Sequence, residues 1–373
     1  MKQIAVMHLH EDNAIYGAEQ HTLSLFKYLP RESLRIFLGC LCIGGQEKEF
    51  FNAASVLSGI EVIPARMEHR YDLCAIGKIR RSLKKNNIQI LHTHGYKADI
   101  IGFSATRFSK VKLVSTLHGW VDIDKKLRCN NFFGRQALKN FDRVITVSKV
   151  LENQAKRYIK KEKIFYVRNA VDTGNLDKIE PLDLNKTLGI NKDAPVVTYV
   201  GRLSREKGVD YLVKAAFLVK DKRAVFLFIG DGPLKNSLTQ QAAELGLAKR
   251  VAFTGYRDDA LGILKASDLF VLPSLTEGIS RSCMEAMGLG VLAVATNVGG
   301  MPELITDGQN GFLVPPARPE ILAEKINAVL EERSRFAGLR QEAAKAIKEK
   351  FSMQRVADEH ENLYSGLMYR GGS

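Results

Sequence analysis

Short, continuous apolar runs alternate with amphipathic segments from one end of the chain to the other. In the first half the runs are IAVMHL (4–9), RIFLGCLCI (35–43), IQILHTHG (88–95), KLVSTLHG (112–119) and RVITVS (143–148). In the second half they are VVTYVG (196–201), AVFLFIG (224–230), RVAFTG (250–255), LFVLPS (269–274) and VLAVAT (291–296). Runs of this length without polar alternation predict strands buried on both faces of a parallel sheet. The segments between them, such as VDYLVKAAFLVK (209–220), repeat apolar residues at helical spacing and predict crossover helices. The alternation predicts α/β architecture. KIFYVRNAV (163–171) reads as the last strand of a first series, the polar stretch 172–195 follows, and a new strand opens at Val196. The expected organisation is a first domain over 1–171, an interdomain connection over 172–195 and a second domain over 196–351. A C-terminal helix, 352–373, is expected to pack back towards the first domain. Both domains are expected to be doubly wound, with ligands outside the carboxyl ends of the strands in a cleft where the two sheets face each other.

Length supports two domains, because 373 residues exceed what one core normally organises. With 45% hydrophobic and 26% charged residues the chain is ordinary globular material. Charge is the unusual feature: the formal net charge is +14, and residues 1–171, with 29 basic and 15 acidic residues, carry all of it. The two domains are therefore expected to face different partners. The apolar run after Lys2 is too short for a secretory signal, and no window is long and apolar enough to span a bilayer. Five cysteines without a CxxC pair suit reduced thiols and a cytoplasmic protein, with peripheral membrane attachment still allowed.

The stretch VGRLSREKG (200–208) lies between a strand and a helix, where Gly201 frees the backbone and Arg202 and Lys207 flank a polar turn. Two cations and a helix start suit a diphosphate; the same residues also suit a solvated basic loop. No P-loop signature occurs. In EGISRSCMEAM (277–287), Glu277 lies in a strand-to-helix turn and Glu285 two turns into the helix. Each can accept hydrogen bonds from vicinal hydroxyls. The amides of Gly278, Ile279, Ser280 and Arg281 are donors at a helix start, although surface glutamates are the commoner fate of such residues. A second glycine turn, VGGMPEL (298–304), follows the next strand.

Residues 276–316 resemble the signature region of family 4 retaining glycosyltransferases, with Glu277 and Glu285 as its E-x7-E motif. VGRLSREKGVDYLVKA (200–215), IGDGPLKNSL (229–238), FTGY (253–256) and TLHG (116–119) are similar to further segments of that family, in the same order. The resemblance implies a GT-B fold, two Rossmann-like domains with a nucleotide-sugar donor held mainly by the second. It implies that Arg202 and Lys207 neutralise the donor diphosphate in place of a metal, so that no metal or other cofactor is required. Glu285 would bind the ribose, Glu277 the transferred sugar, and the backbone of 278–281 would assist. Tyr256 would lie near the base and His118 near the reacting sugar. Gly17 would approach the phosphates or the acceptor, although Tyr16 stands where the family often has a second glycine. The implied reaction retains configuration by same-face attack, the departing phosphate oxygen accepting the acceptor's proton.

His92 and His94 share one strand face at a spacing that suits metal ligands, but no third ligand is identifiable. His94 is an acceptor-contact candidate or a structural histidine, and His8 and His10 end the first strand in the same way. Cys283 reads as a packing residue. Basic clusters occur at Lys78–Lys85, at Lys125, Lys126 and Arg128, and at Lys156–Lys163. They suit solubility, nucleic acid or an anionic lipid-linked acceptor and membrane surface; the last is favoured because no nucleic-acid module accompanies them. The expected function is transfer of a sugar from a nucleotide diphosphate to a cell-envelope glycan or glycolipid such as lipopolysaccharide or capsule, on the inner face of the plasma membrane. The alternatives are a nucleotide-sugar epimerase on the same fold and a non-catalytic basic nucleotide- or RNA-binding protein.

Overall fold

The computed structural model describes residues 3–369 except 13–14, 16, 45, 70–71 and 119–124, and of 125–131 the backbone alone. The chain divides into two compact units, 1–170 with 353–373, and 171–352.

The first unit holds a sheet of seven strands among the described residues. They are β1 (Ile4–Glu11), β2 (Leu34–Ile43), β3 (Ile60–Met67), β4 (Ile90–His94), β5 (Lys112–Leu117), β6 (Arg143–Thr146) and β7 (Ile164–Tyr166). All paired strands run parallel, in the order β3-β2-β1-β4-β5-β6-β7. The chain begins in the middle, winds outward to β3 and returns to β4, so the order reverses between β1 and β4. Parallel strands covered by helices on both faces need apolar residues on both faces. Val6, Ile36, Ile90 and Val114 pack to one side, and Met7, Phe37, Leu91 and Leu113 to the other.

The last helix, Met353–Tyr369, covers the first of those faces with Val356, Leu363 and Tyr364. β3 is absent from the apolar runs of the sequence because it is an edge strand: it tolerates Pro64, and its Glu61 and Arg66 reach solvent. The run expected as a strand over 163–171 forms one only at Ile164–Tyr166, with an isolated bridge from Val171 to Ser352.

The second unit repeats the plan with β8 (Val196–Val200), β9 (Val225–Ile229), β10 (Val251–Gly255), β11 (Leu269–Leu272), β12 (Leu292–Thr296) and β13 (Phe312–Val314). Their order is β10-β9-β8-β11-β12-β13, reversing between β8 and β11. The stretch 172–195, expected as an interdomain connection, belongs instead to this unit. It forms two short helices, Thr173–Leu176 and Leu184–Leu188, capped by Asp172 and Asp183. Leu176 enters the main core, and Leu182, Leu184 and Leu188 pack around Ile190, Val196 and Ile263. A few well-placed leucines anchor a segment whose composition reads as linker.

Two glycines let the loops at the carboxyl edge of this sheet touch. Gly208 has φ +57°, and a Cβ there would lie 2.3 Å from the Pro273 carbonyl oxygen. Gly299 has φ +54°, and a Cβ there would lie 1.7 Å from the carbonyl oxygen of Glu277. Both the left-handed backbone and the contact exclude a side chain. Gly299→Ala is expected to cost the second unit about 1–3 kcal/mol, read as a lower urea midpoint. Gly338→Ala, with open space around it, should leave the midpoint unchanged or raise it.

Candidate active site

In open parallel sheets ligands collect beside the strand ends where the order reverses. In the second unit that place lies between the loops after β8 and β11. The β8 loop is fixed from within: the Tyr199 hydroxyl donates to the Arg202 carbonyl at 2.8 Å, and Ser204 Oγ to Glu206 Oε1 at 2.5 Å. The Leu275 amide donates to the Glu206 carbonyl at 2.9 Å, which ties this loop to the β11 loop.

Across that junction Lys207 Nζ meets Glu277 Oε2 at 2.7 Å, and Ser274 Oγ donates to the same oxygen at 3.0 Å. Glu277 Oε1 has no hydrogen-bond partner among the described residues. The helix Arg281–Gly288 starts with Ser280 as its cap, Oγ accepting from the Cys283 amide. Arg281 Nε pairs with Glu285 Oε1 at 2.8 Å, while Arg281 Nη1 is buried without a partner among the described residues. Burial raises the Glu285 carboxyl above its usual range, and Arg281 opposes the rise. A buried donor and a free carboxylate oxygen are groups that a ligand rich in hydroxyls and phosphates can satisfy.

Of the residues expected from sequence, Lys207, Glu277, Arg281 and Glu285 are thus joined in two ion pairs. Gly201, Gly278, Ile279 and Ser280 lie in the same two loops. Ile279 turns its side chain into the core, leaving only its backbone for a ligand. Arg202 is exposed, and Tyr256, three-quarters exposed, follows edge strand β10. Cys283 is buried and its thiol is pushed far up by burial, which suits packing.

The matching place in the first unit, beside β1, β4 and β5, is a pocket of about 220 Å³ lined by Glu11, Glu19, His94, Lys97, Asp99 and His118 among others. Gly17 opens the helix Gly17–Tyr28 next to it; Tyr16 and Gly119 lie outside the described residues, as do the side chains of Lys125, Lys126 and Arg128. Lys97 Nζ and Glu11 Oε1 pair at 2.7 Å. Asp99 is buried, and burial raises its pKa to about 7 against the hydroxyls of Thr93 and Ser115, which donate to Oδ1. Sequence reasoning passed over Lys97 and Asp99. Their signal is two charges in the first turn of the otherwise apolar helix Tyr96–Thr106.

The histidines correct the sequence reading more sharply. The expectation that His92 and His94 lack a third imidazole fails, because His8 lies beside His92 in the sheet register. The ligand atoms of the three lie within 4.8 Å of one another. His10, His118 and His360 extend the cluster. Burial holds all six imidazoles neutral, with His118 and His360 lowered to about 4 and the others well below the ordinary value.

Residues 183–350 match the family described as Glycosyl transferases group 1, and residues 15–175 match Glycosyltransferase Family 4. The UDP-Gal:alpha-D-GlcNAc-diphosphoundecaprenol alpha-1,3-galactosyltransferase of Escherichia coli is 30% identical over 84% of each chain. The chain belongs to the group 1, family 4 glycosyltransferases. It is an enzyme of GT-B fold that uses a nucleotide-sugar donor, which sets aside the non-catalytic alternative. The N-acetyl-alpha-D-glucosaminyl L-malate synthase of Bacillus anthracis is 29% identical over 80% of each chain. An Anabaena protein crystallised with UDP and glucose superposes on this glycosyltransferase with a TM-score of 0.86. That match has 24% identity and covers 98% of this chain and all of the other; it shows the common fold. No helix among the described residues of the glycosyltransferase is long and apolar enough to cross a membrane.

The buried imidazoles have a consequence for stability. A histidine whose pKa is lower folded than unfolded takes up a proton on unfolding, so stability falls as pH drops below about 6.5 towards the folded value. Asp99, raised on folding, acts in the opposite sense with a single proton. Each net proton taken up on unfolding removes about 1.4 kcal/mol per pH unit. The urea midpoint of the first unit should therefore fall by a clear margin between pH 7.5 and 5.5. A midpoint that rises on acidification would contradict burial of the neutral cluster.

Proposed function

We propose that this glycosyltransferase moves a hexose from a uridine diphosphate sugar to a lipid-linked or cell-envelope glycan, with retention and without a metal. The observation that carries the reading is the Lys207–Glu277 pair beside the free Glu277 Oε1 and the buried Arg281 Nη1. One compact site thereby offers a cation for phosphate, a carboxylate for sugar hydroxyls and a second carboxylate, Glu285, for the ribose. Uridine is supported by the donor named for the Escherichia coli relative and by the UDP held by the Anabaena neighbour.

Lys207 and Arg202 stabilise the charge that develops on the departing diphosphate, the part a divalent ion plays elsewhere. Glu277 Oε1 accepts from the hydroxyls of the transferred hexose. The amides of Gly278 to Arg281 and the open backbone at Gly201 and Gly17 meet phosphate or hydroxyl oxygens, and Tyr256 lies against the base. His118 meets the reacting sugar, and His94 stands behind it towards the acceptor. Same-face attack lets the departing phosphate oxygen take the acceptor's proton, so no carboxylate base is required.

The acceptor side is basic, and its exposed aromatics suit a lipid surface. Phe132 and Phe133, 53% and 57% exposed, form an edge-to-face pair, and Phe108 is 95% exposed. Basic residues near an anionic leaflet contribute about 1 kcal/mol each, so peripheral attachment at the inner face of the plasma membrane follows from this reading.

Lys207→Ala should lower kcat by about 10²–10³-fold, and Glu285→Gln should raise donor KM about tenfold, about 1.4 kcal/mol. Unchanged kinetics in both would remove the donor site from these loops. Activity that survives exhaustive chelation, with an anomer retained in the product by NMR, checks the absence of a metal and the stereochemistry. Epimerised nucleotide sugar formed without acceptor would favour an epimerase instead.

A further inference from the structure

The histidines of the first unit are wired in series. Thr116 Oγ1 meets His92 Nε2 at 2.7 Å, and His92 Nδ1 meets the Tyr364 hydroxyl at 2.6 Å. That hydroxyl meets His8 Nε2 at 3.3 Å, and His8 Nδ1 meets His94 Nε2 at 3.0 Å. His94 Nδ1 meets His118 Nε2 at 3.1 Å. Thr116, near the end of β5, and His118, just after it, are the two ends, and both line the pocket.

A neutral imidazole has one N–H and one bare nitrogen, and a hydroxyl has one proton. Every internal member must therefore donate one way and accept the other, and the whole series runs in a single sense. Two senses obey this rule. If Thr116 Oγ1 donates to His92 Nε2, the His118 proton sits on Nδ1; if His92 Nε2–H donates to Thr116, it sits on Nε2. In either sense the tautomer of His118 is tied to the direction taken by every other member. His118 Nδ1 has no partner among the described residues. Separately, Thr22 Oγ1 donates to the Ala18 carbonyl at 3.1 Å and so accepts from His10 Nε2 at 3.0 Å, which places the His10 proton on Nε2.

We propose that Tyr364, His8 and His94 are positioning residues that hold His118 in a single tautomer, so that its Nδ1 meets a hydroxyl of the sugar in the pocket in one fixed role. The proposal rests on the reading of His118 as the residue that meets the reacting sugar. A metal ion is the competing use of His8, His92 and His94. Their rings argue against it, because a nitrogen lone pair lies in its ring plane. His92 and His94 are stacked at 4.6 Å and 18°, so their planes do not converge on one ion, and both His92 nitrogens are already engaged. The groups packed around the series include His360, which donates Nδ1–H to the Val356 carbonyl, His10, stacked on His94, Phe26 and His21.

The test is ¹⁵N-histidine NMR of the full chain with steady-state kinetics. In the parent, His118 should show a single tautomer, with one ring nitrogen protonated and the other bare. Thr116→Val removes the hydroxyl at the far end of the series and should shift the tautomer balance of His118; Thr116→Ser should restore the parent spectrum. Tyr364→Phe breaks the series in the middle and should mix the two tautomers. In both Thr116→Val and Tyr364→Phe kcat should fall about tenfold, with donor KM within about twofold. Unchanged His118 shifts in both folded variants would overturn the proposal. So would one tightly bound Co²⁺ per chain with the visible spectrum of imidazole ligation. A changed tautomer with unchanged kcat, in the company of a fully active His118→Gln, would leave the locked tautomer standing and remove His118 from the reaction.

Discussion

Everything proposed for the donor site depends on backbone lying against backbone. The β11 loop passes the β12 loop where its Glu277 carbonyl occupies the space of a Cβ on residue 299, and the β8 loop meets Pro273 across Gly208. Only that proximity brings Lys207 within reach of Glu277, because the two residues stand at the ends of neighbouring strands on opposite sides of the reversal point. Interior packing leaves little room to adjust such a contact. The ion pair is consequently a property of two glycines as much as of two charges.

The first unit uses the same sheet plan with a different chemistry at its reversal point. There the strand ends carry imidazoles where the second unit carries ions, and burial keeps those imidazoles uncharged. A low-dielectric surrounding penalises charge but strengthens each hydrogen bond between neutral groups. Polar residues can thus occupy a core face provided every proton has a destination. In the described series from Thr116 to His118 each contact joins one donor to one acceptor.

The sheets were readable from sequence because buried parallel strands leave unbroken apolar runs, and the loops because their charges and glycines fall directly after those runs. β3 and β13 escaped for opposite reasons, the first diluted by Pro64, Glu61 and Arg66, the second only three residues long. The stretch 172–195 misled because four leucines and Ile190 suffice to anchor a segment that is otherwise polar. The histidine pairs were visible as alternating positions on two strands, yet their meaning was not. It depends on Tyr364, 356 residues from His8, and no local pattern announces a contact at that distance.

The placement of the final helix bears on how the protein is made. Met353–Tyr369 is synthesised after the whole of the second unit but covers the sheet face built from β1 onwards, and it delivers the hydroxyl that joins His8 to His92. Domains tend to fold as units in the order in which they emerge from the ribosome. Here the leading unit is missing a wall until residues 353–369 have been made, while the second unit, continuous over 171–352, already has its whole sequence. Vectorial synthesis therefore inverts the expected order. The second unit can finish first, and the nascent first unit waits with an uncovered, histidine-lined face for Met353–Tyr369.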